Sequence, residues 1–171
     1  MDDRGTLGPG ALPDSQAPGE ILVAAPEQPD YAALCGILTH PHWKLHHVPN
    51  VREARAFLEH QPVAVLLSDT ELPDGGWEDV LDEATNSPEP PSMIVFSRLA
   101  DDRLWAEVLN LGGYDLLETP FHPAEVRRVA HAAWCNWKNN RERAVLDRRK
   151  PQATAGSDPI AQEPLAAGPG V

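Results

Sequence analysis

Three polar residues stand where apolar runs of the sequence end, and their types suit phosphoryl or metal chemistry. Asp69 follows the run at 63–67, Ser97 follows the run at 93–96, and Thr119 follows a third, shorter run. A carboxylate can attack a phosphoryl group or bind a divalent cation, and a hydroxyl can hydrogen-bond phosphoryl oxygens. Whether these side chains meet depends on the elements that carry them.

Short apolar runs alternate with helical patterns along the middle of the chain. Strands are predicted at 21–25, 43–48, 63–69, 93–96 and 114–117, and helices at 30–39, 51–60, 77–84, 100–110 and 123–145. The first, third and fourth runs are continuously apolar, which is typical of strands buried on both faces of a parallel sheet. Strand-helix alternation repeated five times requires right-handed parallel crossovers. The sequence therefore predicts an α/β fold, a (βα)5 flavodoxin-like doubly wound parallel sheet in three layers with strand order 2-1-3-4-5.

The helical patterns supply apolar faces that can pack on such a sheet. Asp30 is expected to cap the N-terminus of the first helix. Leu111 is expected on the inner face of the fourth helix. Trp134 and Trp137 continue the apolar stripe of the last helix, so the spacing predicts both in the core.

The functional crevice of an open parallel sheet lies beyond the carboxyl ends of its strands, where the strand order reverses. The residues predicted there are Ala25, Pro26 and Glu27 after the first strand, Asp69 after the third, Ser97 after the fourth and Thr119 after the fifth. The topology therefore predicts that these side chains share one edge of the sheet.

The segment SDTELPDGGW, at 68–77, is similar to the phosphoacceptor segment of bacterial response-regulator receiver domains. In both, an Asp ends an apolar strand and a Pro follows four residues later, before a Gly-rich turn. Ser97 falls where receivers keep a Ser or Thr, and LGGYDLLETPF, at 111–121, resembles the fifth-strand segment that ends in Lys-Pro-Phe. The resemblance extends over residues 20 to 140, with the elements in the family's order.

The resemblance implies roles for three residues and also exposes departures from the family. Asp69 would be the phosphoacceptor, and Ser97 and Thr119 would contact the phosphoryl group. Receivers hold Mg²⁺ with an acidic pair at the end of the first strand, where this chain has Ala25 and Pro26. They also carry a Lys where this chain has Thr119, so the usual site has lost two carboxylates and a cation.

These losses predict weaker metal binding and weaker phosphorylation. A carboxylate that attacks a phosphoryl group meets an anion, so a cation must neutralise the developing charge. Mg²⁺ requires near-octahedral oxygen ligands. We expect Mg²⁺ to bind weakly, with Asp69, Glu27 and Glu71 as candidate ligands, and we expect no other cofactor.

The resemblance implies a signalling protein of a two-component system or phosphorelay, and not an enzyme. Its partners would be a sensor histidine kinase or phosphotransfer protein and a downstream protein, bound through the fourth helix, fifth strand and fifth helix. Leu116 replaces the aromatic switch residue of the fifth strand, so a phosphorylation-independent pseudo-receiver adaptor is an alternative. A flavodoxin-like cofactor binder is disfavoured, because the loop at 24–29 has no Gly, Ser or Thr and two prolines that lack amide donors.

Composition narrows the class of partner. The formal net charge of −12 repels nucleic acid and anionic membranes, so a nucleic-acid effector acting through the basic end of the last helix is the weaker alternative. No run is long and apolar enough to span a bilayer, and no export signal is recognisable at the start, which predicts a cytoplasmic protein without a membrane partner.

Cys35 and Cys135 lie far apart in sequence and are predicted to be buried free thiols.

Both ends of the sequence differ from its middle. Residues 1–19 and the end of the chain are rich in Gly, Pro and Ala, which predicts disordered tails. The receiver-like domain is predicted at 20–145, followed at 146–171 by a basic helix end and a tail. A cluster of histidines at 40–47 lacks the spacing of a metal site and is expected to be a surface cluster.

Overall fold

The computed structural model describes residues 19–149, which form one sheet, one small hairpin and five helices. Of the tail predicted at 1–19, only Gly19 lies within these residues, as part of a strand; of the segment predicted at 146–171, only 146–149 lie within them, as the end of a helix. The elements in chain order are β1 Gly19–Ala24, α1 Gln28–Ile37, β2 Trp43–Val48, α2 Val51–His60, β3 Val65–Asp69, β4 Glu71–Leu72, β5 Gly75–Gly76, α3 Trp77–Thr85, β6 Ser92–Ser97, α4 Asp102–Leu111, β7 Asp115–Glu118 and α5 Pro123–Arg149.

The main sheet has five parallel strands in the order β2-β1-β3-β6-β7. The two-residue strands β4 and β5 pair with each other in a separate hairpin. Counted over the five main strands, the order is therefore 2-1-3-4-5, and the predicted fold class is confirmed. Asp69 pairs in register with Phe96, and Ser97 pairs with Glu118. This register brings the ends of β3, β6 and β7 to one edge.

The sheet lies between two helical layers, because successive strand residues point to opposite faces. Ile21 and Val23 pack with α1 and α5, whereas Leu22 and Ala24 pack with α2, α3 and α4. Every residue of β6 is buried. The continuous apolarity of the central strands thus follows from burial on both sides.

Helix α1 begins two residues before the predicted cap, so the expectation for Asp30 is wrong. The N-cap residue is Glu27, and Asp30 lies in the first turn. Pro29 explains the difference: its fixed φ suits the first turn of a helix, and the amide hydrogen it lacks has no intrahelical acceptor there. Asp30 is consequently free to face the sheet's carboxyl edge.

Helix α4 ends differently from the prediction. Leu111 is 54% exposed, not inward. The chain reverses at Gly112, which has a left-handed φ of 104°. Gly113 then donates its amide to the Val108 carbonyl at 2.8 Å and packs so closely on Val108 that a Cβ would lie 2.5 Å from its Cγ1. The returning backbone therefore fills the space that an inward Leu111 would need.

Helix α5 is four residues longer than predicted, ending at Arg149. Trp134 and Trp137 pack on the core only partly, so their assignment to the core is wrong. Cys35 and Cys135 are free, but half-buried, not buried. Within residues 19–149, none of the helices combines the length and apolar composition that a bilayer crossing requires.

Candidate functional site

A cleft of about 330 Å³ opens at the carboxyl edge of the sheet. All five candidate site residues from the sequence line it, together with residues from the loops after β1, β3, β6 and β7. The lining residues are Pro26, Glu27, Asp30, Asp69, Thr70, Glu71, Phe96, Ser97, Arg98, Leu99 and Thr119. These five side chains therefore lie together at one edge of the sheet, as predicted. Their roles stay predictions.

Asp69 is the last residue of β3 and is half-buried at the floor of the cleft. Its Oδ1 accepts hydrogen bonds from the Thr70 hydroxyl and the Glu71 amide, both at 3.3 Å. Within residues 19–149, no cation lies at ion-pair distance from this carboxylate. Both hydrogen bonds are long, so the carboxylate is held only loosely by its neighbours.

Ser97 ends β6 and Thr119 directly follows the adjacent strand β7, and the two residues are joined through their backbones. The Thr119 amide donates to the Ser97 carbonyl at 3.0 Å. The Ser97 side chain is 9% exposed, and its Oγ accepts from the Leu99 amide at 3.1 Å. That bond fixes the oxygen as an acceptor and leaves the hydroxyl hydrogen available to an acceptor in the cleft.

Asp30 and Arg98 are cleft residues that sequence reasoning missed. Burial raises the pKa of Asp30 above its ordinary value, and the Asp69 carboxylate raises that pKa further, while Arg98 lowers it. The charges of Asp69 and Arg98 therefore both act on Asp30. Among the described residues that line the cleft, Arg98 is the only cation. Its place directly after Ser97 was the available signal, since any residue one step past a strand end can reach this crevice.

The cleft carries four carboxylates, at Glu27, Asp30, Asp69 and Glu71, but no three of them come together as a metal site. No group of three or more His, Cys, Asp or Glu side chains within residues 19–149 is placed to hold one. Ala25, where receivers have an acidic residue, is fully buried in the core. The replacement ligands Glu27 and Glu71 remain a prediction.

The histidines at the β2 edge make structural contacts. His46 Nε2 lies 2.5 Å from Glu20 Oε2, a carboxylate partner that the sequence did not indicate. His47 Nε2 lies 2.8 Å from the Ala25 carbonyl, and its ring stacks on Tyr31. These contacts tie β2 to β1 and α1, so His46 and His47 are half-buried parts of the sheet edge.

No protein-family model matches the chain, and no curated protein matches it. Solved structures do resemble it. The signal receiver domain of an HD domain-containing protein from Pseudomonas fluorescens is 22% identical with a TM-score of 0.68, covering 74% of this chain and 94% of its own. A CheY-like response regulator receiver domain protein from Methanospirillum hungatei is 17% identical with a TM-score of 0.63, covering 71% and 98%.

A third similar structure adds a metal ion. The receiver domain of a sensor histidine kinase from Pseudomonas aeruginosa, which has magnesium coordinated in its active site cleft, is 23% identical to this chain with a TM-score of 0.58, covering 69% of this chain and 98% of its own. Identities at this level demonstrate a shared fold. The chain therefore has the fold of response-regulator receiver domains.

Proposed function

We propose that this chain is a cytoplasmic receiver-like signalling protein of a two-component system or phosphorelay, with Asp69 as its phosphoacceptor. The observation that carries the proposal is the position of Asp69. A half-exposed carboxylate ends the central strand β3 and lines the cleft with the Ser97 and Thr119 side chains. In a doubly wound sheet this is the place where ligands bind.

The cleft residues suggest how a phosphoryl group would be accepted. An Asp69 oxygen forms the new bond to phosphorus as the bond from phosphorus to the donor breaks, and the donor group leaves with the electron pair. The Ser97 hydroxyl donates to a phosphoryl oxygen. Arg98 supplies positive charge at the rim, where the family's lysine is replaced by Thr119. The donor in the cell would be a sensor histidine kinase or a phosphotransfer protein.

The output would be a protein contact, made through the surface around α4. Trp105, Leu109 and Leu111 are exposed there. The Trp105 indole donates to the Asp115 carboxylate at 3.1 Å, which orients the ring beside the edge strand β7. Trp105 and Leu109 lie four residues apart on one face of α4, and exposed apolar side chains of this kind are typical of partner-binding surfaces.

A phosphorylation-independent adaptor is the second candidate. It is favoured by the fully buried Ala25 and by the neutral Thr119, because they replace groups that bind metal and neutralise phosphoryl charge. In that case the α4 surface would act alone, and Asp69 would be a remnant. The two candidates differ in one measurable respect, which is labelling of Asp69.

The test is incubation of the full chain with a small phosphodonor, with and without Mg²⁺, followed by intact-mass measurement. We expect a slow gain of one phosphoryl group that is abolished in Asp69→Asn. The matched control is Asp30→Asn, which removes a carboxylate from the same cleft and should leave the label in place. A native chain that gains no phosphoryl group would establish the adaptor instead.

A further inference from the structure

A groove remote from the cleft lies along the second half of α5. It has a volume of about 470 Å³. The residues that line it are Trp134, Trp137, Lys138, Arg141, Glu142, Val145 and Leu146. They recur every three or four positions, so they form one continuous face of the helix.

This groove has an apolar floor, and its charged lining residues are two cations, Lys138 and Arg141, and one carboxylate, Glu142; Arg141 also pairs with Glu89 at 3.4 Å. Val145 and Leu146 are exposed, and the two indoles are partly so. The Lys138 ammonium lies 5.5 Å from the centre of the Trp134 ring, and the Arg141 guanidinium lies 5.4 Å from that of Trp137. On a chain with a net charge of −12, such a face suits an occupant that is both apolar and acidic.

A second copy of the chain does not meet this requirement. Pairing the same face across a two-fold axis would place Lys138 and Arg141 of both copies in one interface, against a single Glu142 from each. Like charges across an interface oppose association. The occupant should therefore be an acidic segment.

We propose that residues 1–18 of this chain bind along the α5 groove. The described chain begins at Gly19, and a Cβ at that position would lie 3.0 Å from the Trp134 indole. The preceding segment therefore leaves the sheet at the Trp134 end of the groove. From Trp134 to Leu146 the helix rises about 18 Å at about 1.5 Å per residue, a distance that about six extended residues can span.

The composition of the segment suits the groove. Residues 1–18 contain Leu7 and Leu12, prolines at 9, 13 and 18, and three aspartates against one arginine. Pro-rich segments bind aromatic-lined grooves because they are already extended and lose little entropy on binding. Such a segment needs no core of its own, so binding is compatible with the prediction that it is disordered in isolation.

The C-terminal segment is a poorer occupant. It follows Arg149, at the far end of the helix, and must reverse direction before it can run back over the groove. The N-terminal segment starts in contact with the groove, so its effective concentration there is high without a turn. When bound, it would cover part of the α5 surface and compete with any acidic partner for Lys138 and Arg141.

The test uses the full chain labelled with ¹⁵N at its tryptophan indoles. Single Trp→Phe changes at Trp77, Trp105, Trp134 and Trp137 assign four of the five indole N–H signals. We expect Leu7→Asp/Leu12→Asp to shift the Trp134 and Trp137 signals, because the segment leaves the groove. The signals of Trp77 and Trp105 should stay in place, which shows that the fold is intact.

The matched control is Ile160→Asp/Leu165→Asp, which makes the same change in the C-terminal segment. It should leave all five indole signals unchanged, and diluting the native chain should also leave them unchanged. A shift in the control would make the C-terminal segment the occupant, and a shift on dilution would make it a second copy. Either result, or an unmoved Trp134 and Trp137 in the Leu7/Leu12 variant, overturns the proposal.

Discussion

The centre of the sheet and its carboxyl edge follow different rules, although the same strands make both. At the centre, β1, β3 and β6 present apolar side chains that are buried on both faces. At the edge, the same strands end in a cleft with four carboxylates and one arginine. The centre matches the receiver fold throughout, whereas the edge lacks the acidic pair and the lysine that the family resemblance leads one to expect.

The difference arises from how many residues specify each feature. Burial in the centre is shared by many side chains, so a fold survives replacement of any one apolar residue by another of similar size. Charge at the edge depends on single side chains at single positions. A receiver-like sheet can therefore persist after its chemistry has been weakened.

The largest expected effect is on the free energy of unfolding, when a leucine is replaced by alanine in each of the two regions. Leu66 is fully buried in β3, whereas Leu99, at the cleft, is 83% exposed. Leu66→Ala should lower the free energy of unfolding by about 2 to 5 kcal/mol, because it leaves a cavity. Leu99→Ala should change it by less than about 0.5 kcal/mol. Urea unfolding of both variants measures the contrast, and similar losses would show that the edge is as tightly packed as the centre.

The two regions also differ in how well the sequence predicts them, because many residues specify the centre and single residues specify the edge. Strand positions and order could be predicted because continuous apolar runs have few alternative explanations in a βα repeat. The ends of helices were harder to predict than the strands. Pro29 moved the start of α1, and the close packing of Gly113 on Val108 turned Leu111 outward. Both depend on local backbone geometry that apolar periodicity does not record.

The candidate site was predictable only as far as the resemblance extended. Asp69, Ser97 and Thr119 could be placed because the first two end strands and the third directly follows one. Asp30 and Arg98 could not, because a charged residue in a first helical turn or a loop is ordinary in sequence, and only the fold shows that both reach the cleft. The half-exposure of Trp134 and Trp137 was hidden for a related reason, since periodicity gives the helix face but not where the sheet beneath it stops.

An intermediate effect should follow from restoring the missing charges at the edge. The triple change Ala25→Asp, Pro26→Asp, Thr119→Lys should raise Mg²⁺ affinity and phosphodonor labelling. Each restored interaction contributes about 1 to 3 kcal/mol, so labelling should rise at least about tenfold. Because Ala25 is buried, the new carboxylates should also make the melting temperature depend on Mg²⁺.

Two controls isolate charge in that experiment. The variant Ala25→Asn, Pro26→Asn, Thr119→Gln has side chains of similar size without charge and should gain no labelling. Adding Asp69→Asn to the charged triple should remove the gain. If the native chain already binds Mg²⁺ and labels as readily as the charged triple, then the edge is not impaired, and Glu27 and Glu71 become the leading metal ligands.

The smallest effect concerns two aspartates whose pKa values move in opposite directions. The pKa of Asp30 in the cleft is raised above 3.8 by burial and by Asp69, so the folded state holds its proton more tightly than the unfolded state does. Its charge therefore costs stability above the folded pKa, and the cost vanishes below 3.8. Asp30→Asn should stabilise the protein at pH 7 by only a few tenths of a kcal/mol, because Asp30 is half-exposed and screened by water.

Asp74 is the control of opposite sign, outside the cleft. Amide hydrogen bonds from Val51 at 2.7 Å and Arg52 at 3.0 Å lower the pKa of Asp74 and tie the loop between β4 and β5 to α2. Its charge therefore adds stability above 3.8, which is lost as the pH falls through the folded pKa. Urea midpoints are measured for each variant and the native chain from neutral pH into the acidic range. At neutral pH the midpoint should be higher for Asp30→Asn and lower for Asp74→Asn than for the native chain. Both differences should shrink as the pH falls. An Asp30→Asn variant that is destabilised at neutral pH would mean that Arg98 outweighs burial and Asp69, and that the edge is as well satisfied as the centre.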